Sequence, residues 1–487
     1  MLLTGIVETL INVFNGAILF YVILVSSSYF ILALISMNGL AGYLKENAFI
    51  EYKLIKSSGL APALSVIAPA YNEGKNIKEN VHSLLNLNYD NYEVIIVNDG
   101  SKDNTLEVLI KSYDLEIIEY EYIDKIPTKN IRAVYKSKNP AFYNLIIADK
   151  ENGGKADALN VGMNISANPY IICIDADCVI HKDALLILAK PLLEKSDRHV
   201  IATGGVVRIA NSCVITAGGL TEINAPKNLL ARIQVLEYLR AFLLARMAWG
   251  KLDGLLLISG AFGLFDKDIA IKCGGYNPKT VGEDMELVVR MRRYMLENNL
   301  KYAVTYIPNP LCWTEAPESF EILLKQRSRW ARGTMETLWI HRIMFLNPKY
   351  KILGLLSVPY WFIFEYLAPI VEFTGLIITL FFAFLGILSF QYFFLLFGFV
   401  YSFAVMFSIL TLLTEEYTYH QYGKAKDFIR LLIAAFVEPV YFHFFTVYAA
   451  LMGNWEEMRG RKTWGDMERT GFQVAEDKKK KSFPPSI

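Results

Sequence analysis

Residues 11–40 carry no charged side chain, a longer run than the roughly 20 apolar residues that one membrane-crossing helix needs. A second apolar block, residues 352–413, is interrupted only by Glu365 and Glu372, and a third, residues 431–452, contains Glu438 and His443. At about 20 residues per crossing the longer block has room for two or three helices. Between the first and second blocks the pattern changes. Short β-rich runs, such as residues 64–68 and 92–98, alternate with helical patterns and end in polar turns. That rhythm predicts an α/β domain with a mostly parallel sheet covered by helices, in which ligands gather at the carboxyl ends of the strands. The expected organisation is therefore a transmembrane anchor at 1–41 and an α/β domain at 42–350 with interfacial helices at its end. A membrane region at 351–453 and a basic tail at 454–487 follow.

A cleaved signal peptide has an apolar core of only about 7–15 residues behind a basic start. No Lys or Arg precedes the first run, so it reads as a retained anchor. Lys45 and Lys53 follow it, and the positive-inside rule then puts the N-terminus outside and the central domain in the cytoplasm. Arg459, Arg461, Lys462 and the lysines at 478–481 argue for a cytoplasmic tail, while Lys424, Lys426 and Arg430 pull the preceding loop to the same side. Both hold only if residues 431–452 do not cross once, which makes that stretch partly interfacial; otherwise the tail is the favoured inside segment. Carboxylates in apolar blocks are costly in lipid and face protein or water. Glu365 and Glu372, seven apart, share a helix face, either lining a channel or pairing with a neighbour.

Composition adds little beyond this. A hydrophobic content of 53% and a mean hydropathy of +0.29 agree with membrane segments, and a net charge of +1 gives no footprint for nucleic acid. Cys173, Cys178, Cys213, Cys273 and Cys312 are odd in number and lack Cys-x-x-Cys spacing, so they read as reduced packing residues.

The polar clusters sit where such a sheet would present them. Pro69-Ala70-Tyr71-Asn72-Glu73 follows the first strand, and Asn98-Asp99-Gly100-Ser101 the second. Asp99 and Glu73 are acceptors for a bound base, and Tyr71 offers a stacking ring; a plain turn is the alternative for each. In Asn152-Gly153-Gly154-Lys155, backbone N–H groups and an ammonium at a helix start suit a diphosphate, or a simple loop-to-helix junction. Asp175-Ala176-Asp177 follows the run 170–174, and its carboxylates suit a hard divalent cation, Mg²⁺ or Mn²⁺. Asp284, in Gly282-Glu283-Asp284, opens a helix, where a carboxylate is welcome on structural grounds alone. Gln326, Arg329 and Trp330 share one helix face, as an amphipathic membrane-surface helix also would.

Taken together these motifs resemble the membrane-embedded family 2 glycosyltransferases, among them cellulose, chitin-oligosaccharide, hyaluronan and poly-N-acetylglucosamine synthases. The resemblance implies a GT-A-like nucleotide-sugar domain, with the strand-end motifs forming its uridine-binding half. It further implies that Asp175 contacts the nucleotide sugar, Asp177 holds the metal and Asp284 is the general base. On the same likeness Gln326 and Trp330 line the acceptor site, Arg329 meets the diphosphate, and residues 461–472 fold over the nucleotide as a gate or anchor at the interface. Gly282 departs from that pattern, where Thr is common. The implied activity is inverting transfer from a UDP-sugar that elongates a β-linked polysaccharide at the cytoplasmic face of the plasma membrane and passes it through the enzyme's own helices. The alternative is a single addition to a lipid or lipid-linked acceptor. The expected partners are the UDP-sugar donor, the growing polysaccharide or lipid-linked acceptor and the lipid bilayer, with no nucleic acid and no identified export partner. A scaffold that has lost catalysis is disfavoured by the intact Asp99, Asp175, Asp177 and Asp284.

Overall fold

The computed structural model describes residues 2–48, 59–216 and 219–460. Lys53, Arg461, Lys462 and the expected gating segment and basic tail beyond residue 460 lie outside the described residues.

Twelve strands occur among the described residues. They are β1 (Leu64–Ala70), β2 (Tyr92–Asp99), β3 (Leu115–Ile118), β4 (Ile131–Ser137), β5 (Leu145–Lys150), β6 (Tyr170–Ile174), β7 (Val179–Ile180), β8 (His199–Ile209), β9 (Val214–Thr216), β10 (Gly219–Glu222), β11 (Phe262–Asp266) and β12 (Tyr302–Thr314). Ten of them form one sheet in the order β3-β4-β5-β2-β1-β6-β11-β8-β12-β7, and β9 and β10 form a separate hairpin. The centre, β5-β2-β1-β6, is parallel. Antiparallel β4 flanks it on one side and antiparallel β11 on the other.

The central strands are continuous apolar runs because they are covered on both faces. Val94, Ile95, Ile96 and Val97 of β2, like Leu145, Ile146, Ile147 and Ala148 of β5, are fully buried. Register then aligns the polar ends: Ala70 faces Asn98 across β1 and β2, and Asp99 faces Lys150 across β2 and β5. Strand β1 extends to Ala70, so Pro69 and Ala70 belong to the strand and the expected polar turn begins at Tyr71.

The first helix runs Leu2–Asn47, carrying Lys45 in its last turn rather than after its end. Among the described residues, three helical segments are long and apolar enough to cross a membrane: Ile11–Asn47, Leu353–Phe384 and Phe390–Thr418. The second contains π-helical turns at Leu353–Ser357 and Trp361–Tyr366. Glu365 therefore lies in a π turn and Glu372 in the following α-helix, not on one regular helix as their spacing predicts.

The third apolar stretch is not a straight span. Helices Ala425–Tyr441 and His443–Met458 meet at a 55° bend at Phe442, three residues after Pro439, whose ring cannot donate to the helical ladder. One face of the bent pair packs on the α/β domain. Leu431, Ala434 and Ala435 share a buried cluster with Ile209, Ile233 and Leu236. Ion pairs join the layers: Arg208 of β8 to Glu415, fully buried, and Arg240 to Glu438, partly buried.

Candidate active site

The turns after β1 and β2 are stitched together. Ser101 Oγ accepts from the Asn72 N–H (3.0 Å), Asn72 Oδ1 accepts from the Lys102 N–H (2.8 Å), and Thr105 Oγ1 accepts from the Glu73 N–H (2.9 Å). Asn72 takes a positive φ of 56° to make this corner, a conformation Asn tolerates better than most residues. Tyr71 is left half exposed beside it.

Asp99 is only 3% exposed, and its two oxygens are held from inside. Oδ1 accepts from Lys150 Nζ (2.5 Å) and the Gly153 N–H (2.9 Å), and Oδ2 from the Gly154 N–H (2.8 Å) and Asn152 Nδ2 (3.3 Å). Lys150 is fully buried and also meets Asp157 (2.7 Å). Asp99 thus shapes the glycine loop that opens the helix Lys155–Ile165. Gly154 adopts φ +87°, where an L side chain is strained, and a side chain at Gly153 would strike Asp157. The structure gives Asp99 a structural role that its own motif does not announce, as the buried partner of Lys150. An apolar run ending in Asp149-Lys150 beside a glycine pair was the available signal.

Lys155 reaches across the first turn of that helix to Asp175, with Glu283 at 3.7 Å and the Gly260 carbonyl at 3.4 Å. Burial alone would lower its pKa, yet Asp175 and then Glu283 hold the ammonium charged, above the ordinary lysine range. Burial pushes Glu283 up, and Lys155 partly offsets it. Asp175 and Asp177 lie on the tight turn between β6 and β7, with Asp177 only 8% exposed at the cavity wall.

Among the described residues no group of three His, Cys, Asp or Glu side chains is placed to hold a metal ion by itself. Mg²⁺ seldom uses an all-protein cage, keeping waters and substrate phosphates beside one or two carboxylates. A single turn bearing two aspartates, next to a lysine and a helix N-terminus, fits a cation of that kind shared with a diphosphate and does not fit a structural metal site.

Asp284 begins the helix Glu283–Glu297. Its Oδ2 accepts from the Gly260 N–H and its Oδ1 from the Met285 N–H, each at 2.8 Å. Opposite stands the helix Phe320–Ile340. Trp330, 40% exposed, is covered on one side by the Arg327 guanidinium (4.3 Å to the ring centroid), which pairs with Glu237 (2.7 Å). Gln326 Oε1 is buried with no hydrogen-bond partner among the described residues. On its far side the same helix meets the last one, where Ser328 Oγ donates to Glu456 (3.0 Å).

One open cavity of about 1710 Å³ is lined by Tyr71, Glu73, Asp99, Lys155, Asp175, Asp177, Asp284, Gln326, Arg329 and Trp330, so every candidate residue borders the same space. It continues past Tyr29, Trp361 and Glu365 to Glu372 and His443, which share a 2.8 Å hydrogen bond. Arg246 also lines it, stacked 3.9 Å over the Phe242 ring, and burial pulls its pKa down. Arg246 and Glu237 were absent from the sequence reading. They lie on a helix that no motif marks.

Residues 65–125 match the model described as glycosyl transferase family 2, and residues 137–333 match that described as glycosyltransferase like family 2. A poly-beta-1,6-N-acetyl-D-glucosamine synthase of Staphylococcus epidermidis is 28% identical over 332 residues, 67% of this chain and 67% of the relative. One of the same name from Staphylococcus aureus (strain COL) is 28% identical over 294 residues, 59% of this chain and 60% of the relative. A mannosyltransferase from Pyrobaculum calidifontis, solved with GDP-Man and Mn²⁺, superposes with a TM-score of 0.50 at 17% identity, covering 86% of this chain and 99% of that one; it shares the fold. The chain carries a family 2 glycosyltransferase domain on a GT-A-like fold, and it is a glycosyltransferase.

Proposed function

We propose that the enzyme elongates a β-linked polysaccharide from a UDP-sugar at the cytoplasmic face of a membrane and leads the product between its own helices. The observation that carries this reading is the continuity of the cavity from Asp177 and Asp284, past Trp330, to Glu365 and Glu372 among the membrane-type helices. A passage of that length suits a polymer leaving the site, whereas a single addition needs an opening only for its acceptor to enter. The relatives' names support a polymer of N-acetylglucosamine.

In this reading Tyr71, Glu73 and Asp99 border the base, and Lys155, Asp175 and Arg329 the diphosphate. Asp177 holds Mg²⁺ or Mn²⁺, which when bound neutralises charge on the leaving diphosphate. Asp284 takes the proton from an acceptor hydroxyl as that oxygen bonds to the anomeric carbon. The bond from that carbon to the UDP oxygen breaks on the opposite face, UDP leaves, and the configuration inverts. Gln326 and Trp330 hold the acceptor sugar, Trp330 by presenting its ring face.

The bend at Phe442 supports an orientation in which Leu353–Phe384 and Phe390–Thr418 cross and the bent pair lies along the cytoplasmic surface. The loop bearing Lys424 and Lys426 and Arg459, near the end of the described chain, are then both cytoplasmic, which removes the conflict between their charges.

The test is incubation of the purified protein in nanodiscs with Mg²⁺ or Mn²⁺ and each common UDP-sugar in turn, reading UDP release and product size. UDP release with a long, glycosidase-sensitive polymer is expected, abolished by chelation and restored by the cation. Short products only, or none without an added lipid acceptor, would establish the single-addition reading instead.

A further inference from the structure

Gly282, which stands where the resembling family commonly has Thr, packs backbone to backbone against Gly333 of the helix Phe320–Ile340. A Cβ at Gly282 would lie 2.7 Å from the Gly333 Cα, and one at Gly333 would lie 2.6 Å from the Gly282 Cα; real Cβ atoms essentially never come within 3.0 Å. Neither glycine is needed for its dihedral freedom. Gly282 has φ −110°, and Gly333 is inside a helix, where glycine costs roughly 0.5–1 kcal/mol relative to alanine. Proximity is what both provide.

A side chain secures the same contact. Glu336 Oε2 accepts from the Thr280 Oγ1–H and from the Val281 N–H (2.8 Å), and Thr280 Oγ1 accepts from the Gly282 N–H (3.1 Å). The turn that delivers Glu283 and Asp284 is thus fastened at one end to the helix carrying Gln326, Arg329 and Trp330. At the other end Asp284 itself is fastened to Gly260. Gly333 and Glu336 follow Gln326 and Arg329 by seven residues each, so they continue the same helix face.

We propose that Gly282, Gly333 and Glu336 are positioning residues that hold Asp284 at a set distance from the Gln326–Trp330 platform, so that base and acceptor site move as one body. This rests on the reading of Asp284 as the base. A misplacement of about 1 Å at a reacting group costs up to about 10² in rate.

Gly333→Ala, Gly282→Ala, Glu336→Gln and Glu336→Leu are compared with the parent in nanodiscs by kcat and donor KM from UDP release, and by thermal midpoint. Gly333→Ala and Gly282→Ala should lower kcat by about 10- to 10²-fold with donor KM within about twofold. Glu336→Gln, which keeps an oxygen acceptor for the turn, should retain several-fold more kcat than Glu336→Leu. A folded Gly333→Ala enzyme with parental kcat, or equal loss in Glu336→Gln and Glu336→Leu, overturns the proposal. Should the glycine variants fail to fold, the Glu336 pair decides alone. Asp284→Asn run in parallel separates the two readings: an inactive Asp284→Asn beside a fully active Gly333→Ala removes only the clamp, whereas an active Asp284→Asn removes the base and the clamp with it.

Discussion

The strand-end half of the cavity and its helical half are built on different principles. At the ends of β1, β2 and β5, charge is buried and internally satisfied: Lys150 sits between Asp99 and Asp157, and the glycine amides close on Asp99. The helical half presents more surface, with Trp330 exposed and carboxylates along a long open passage, and it leaves the buried Gln326 Oε1 without a partner among the described residues. A half that receives one small, highly charged ligand gains from pre-set dipoles and ions, whose reorganisation is already complete before binding. One that must let a chain slide gains from aromatic faces and few fixed contacts. Under the proposed function, the first half would be a rigid donor site and the second a permissive acceptor site.

Breaking the strand-end half should have the largest effect. Lys150→Met leaves Asp99 and Asp157 as uncompensated buried charges, so a loss of about 3–5 kcal/mol of stability is expected, read as a large fall in thermal midpoint with nucleotide binding lost as well. A variant of parental midpoint would show that the pair is not the keystone of that half.

At the boundary between the halves, Asp284→Asn keeps the shape and removes the proposed base. Turnover should fall by about 10²-fold or more while UDP-sugar binding, measured by displacement of a labelled nucleotide, stays near the parent. Binding and turnover falling together would move Asp284 into the rigid donor half.

The smallest effect concerns a charged cluster behind the helical half, Glu286 with Arg290 and His341. Burial would raise the pKa of Glu286, but hydrogen bonds from His341 and Arg290 bring it below the ordinary glutamate range. A depressed carboxyl contributes stability that is fully present above its unfolded value and lost as pH falls through its folded one. Thermal midpoints should therefore fall modestly as the solution is acidified below the usual glutamate range. Glu286→Gln should flatten that part of the profile, and an unchanged slope would show the cluster to be inert.

How far the chain announces all this depends on range. The strands β1, β2 and β6 stand close to where their apolar runs predict, because burial on both faces writes a continuous local signal. The spacing of Gln326, Arg329 and Trp330 likewise fixes a shared helix face, since 3.6 residues per turn is a local property. Lys150 was missed because its importance comes from a register, Asp99 opposite Lys150, that is set by pairing of strands 51 residues apart. The regular repeat that joins Glu365 to Glu372 fails for a related reason: π turns and a break at Leu367 alter the phase of the helix.

By itself, then, the sequence determined the class of domain, the apolar blocks that suit a membrane and the chemistry that its carboxylates, lysine and tryptophan can perform. The first two follow from composition and short-range periodicity, and the third from short motifs and the family they resemble. Tertiary structure alone decided that the third apolar block bends onto the α/β domain, that Asp99 is sealed by Lys150, and that Gly282 and Gly333 bring the turn bearing Asp284 against the helix Phe320–Ile340. Those outcomes depend on which surfaces meet, and close packing of backbone on backbone leaves no trace in the sequence except two glycines 51 positions apart.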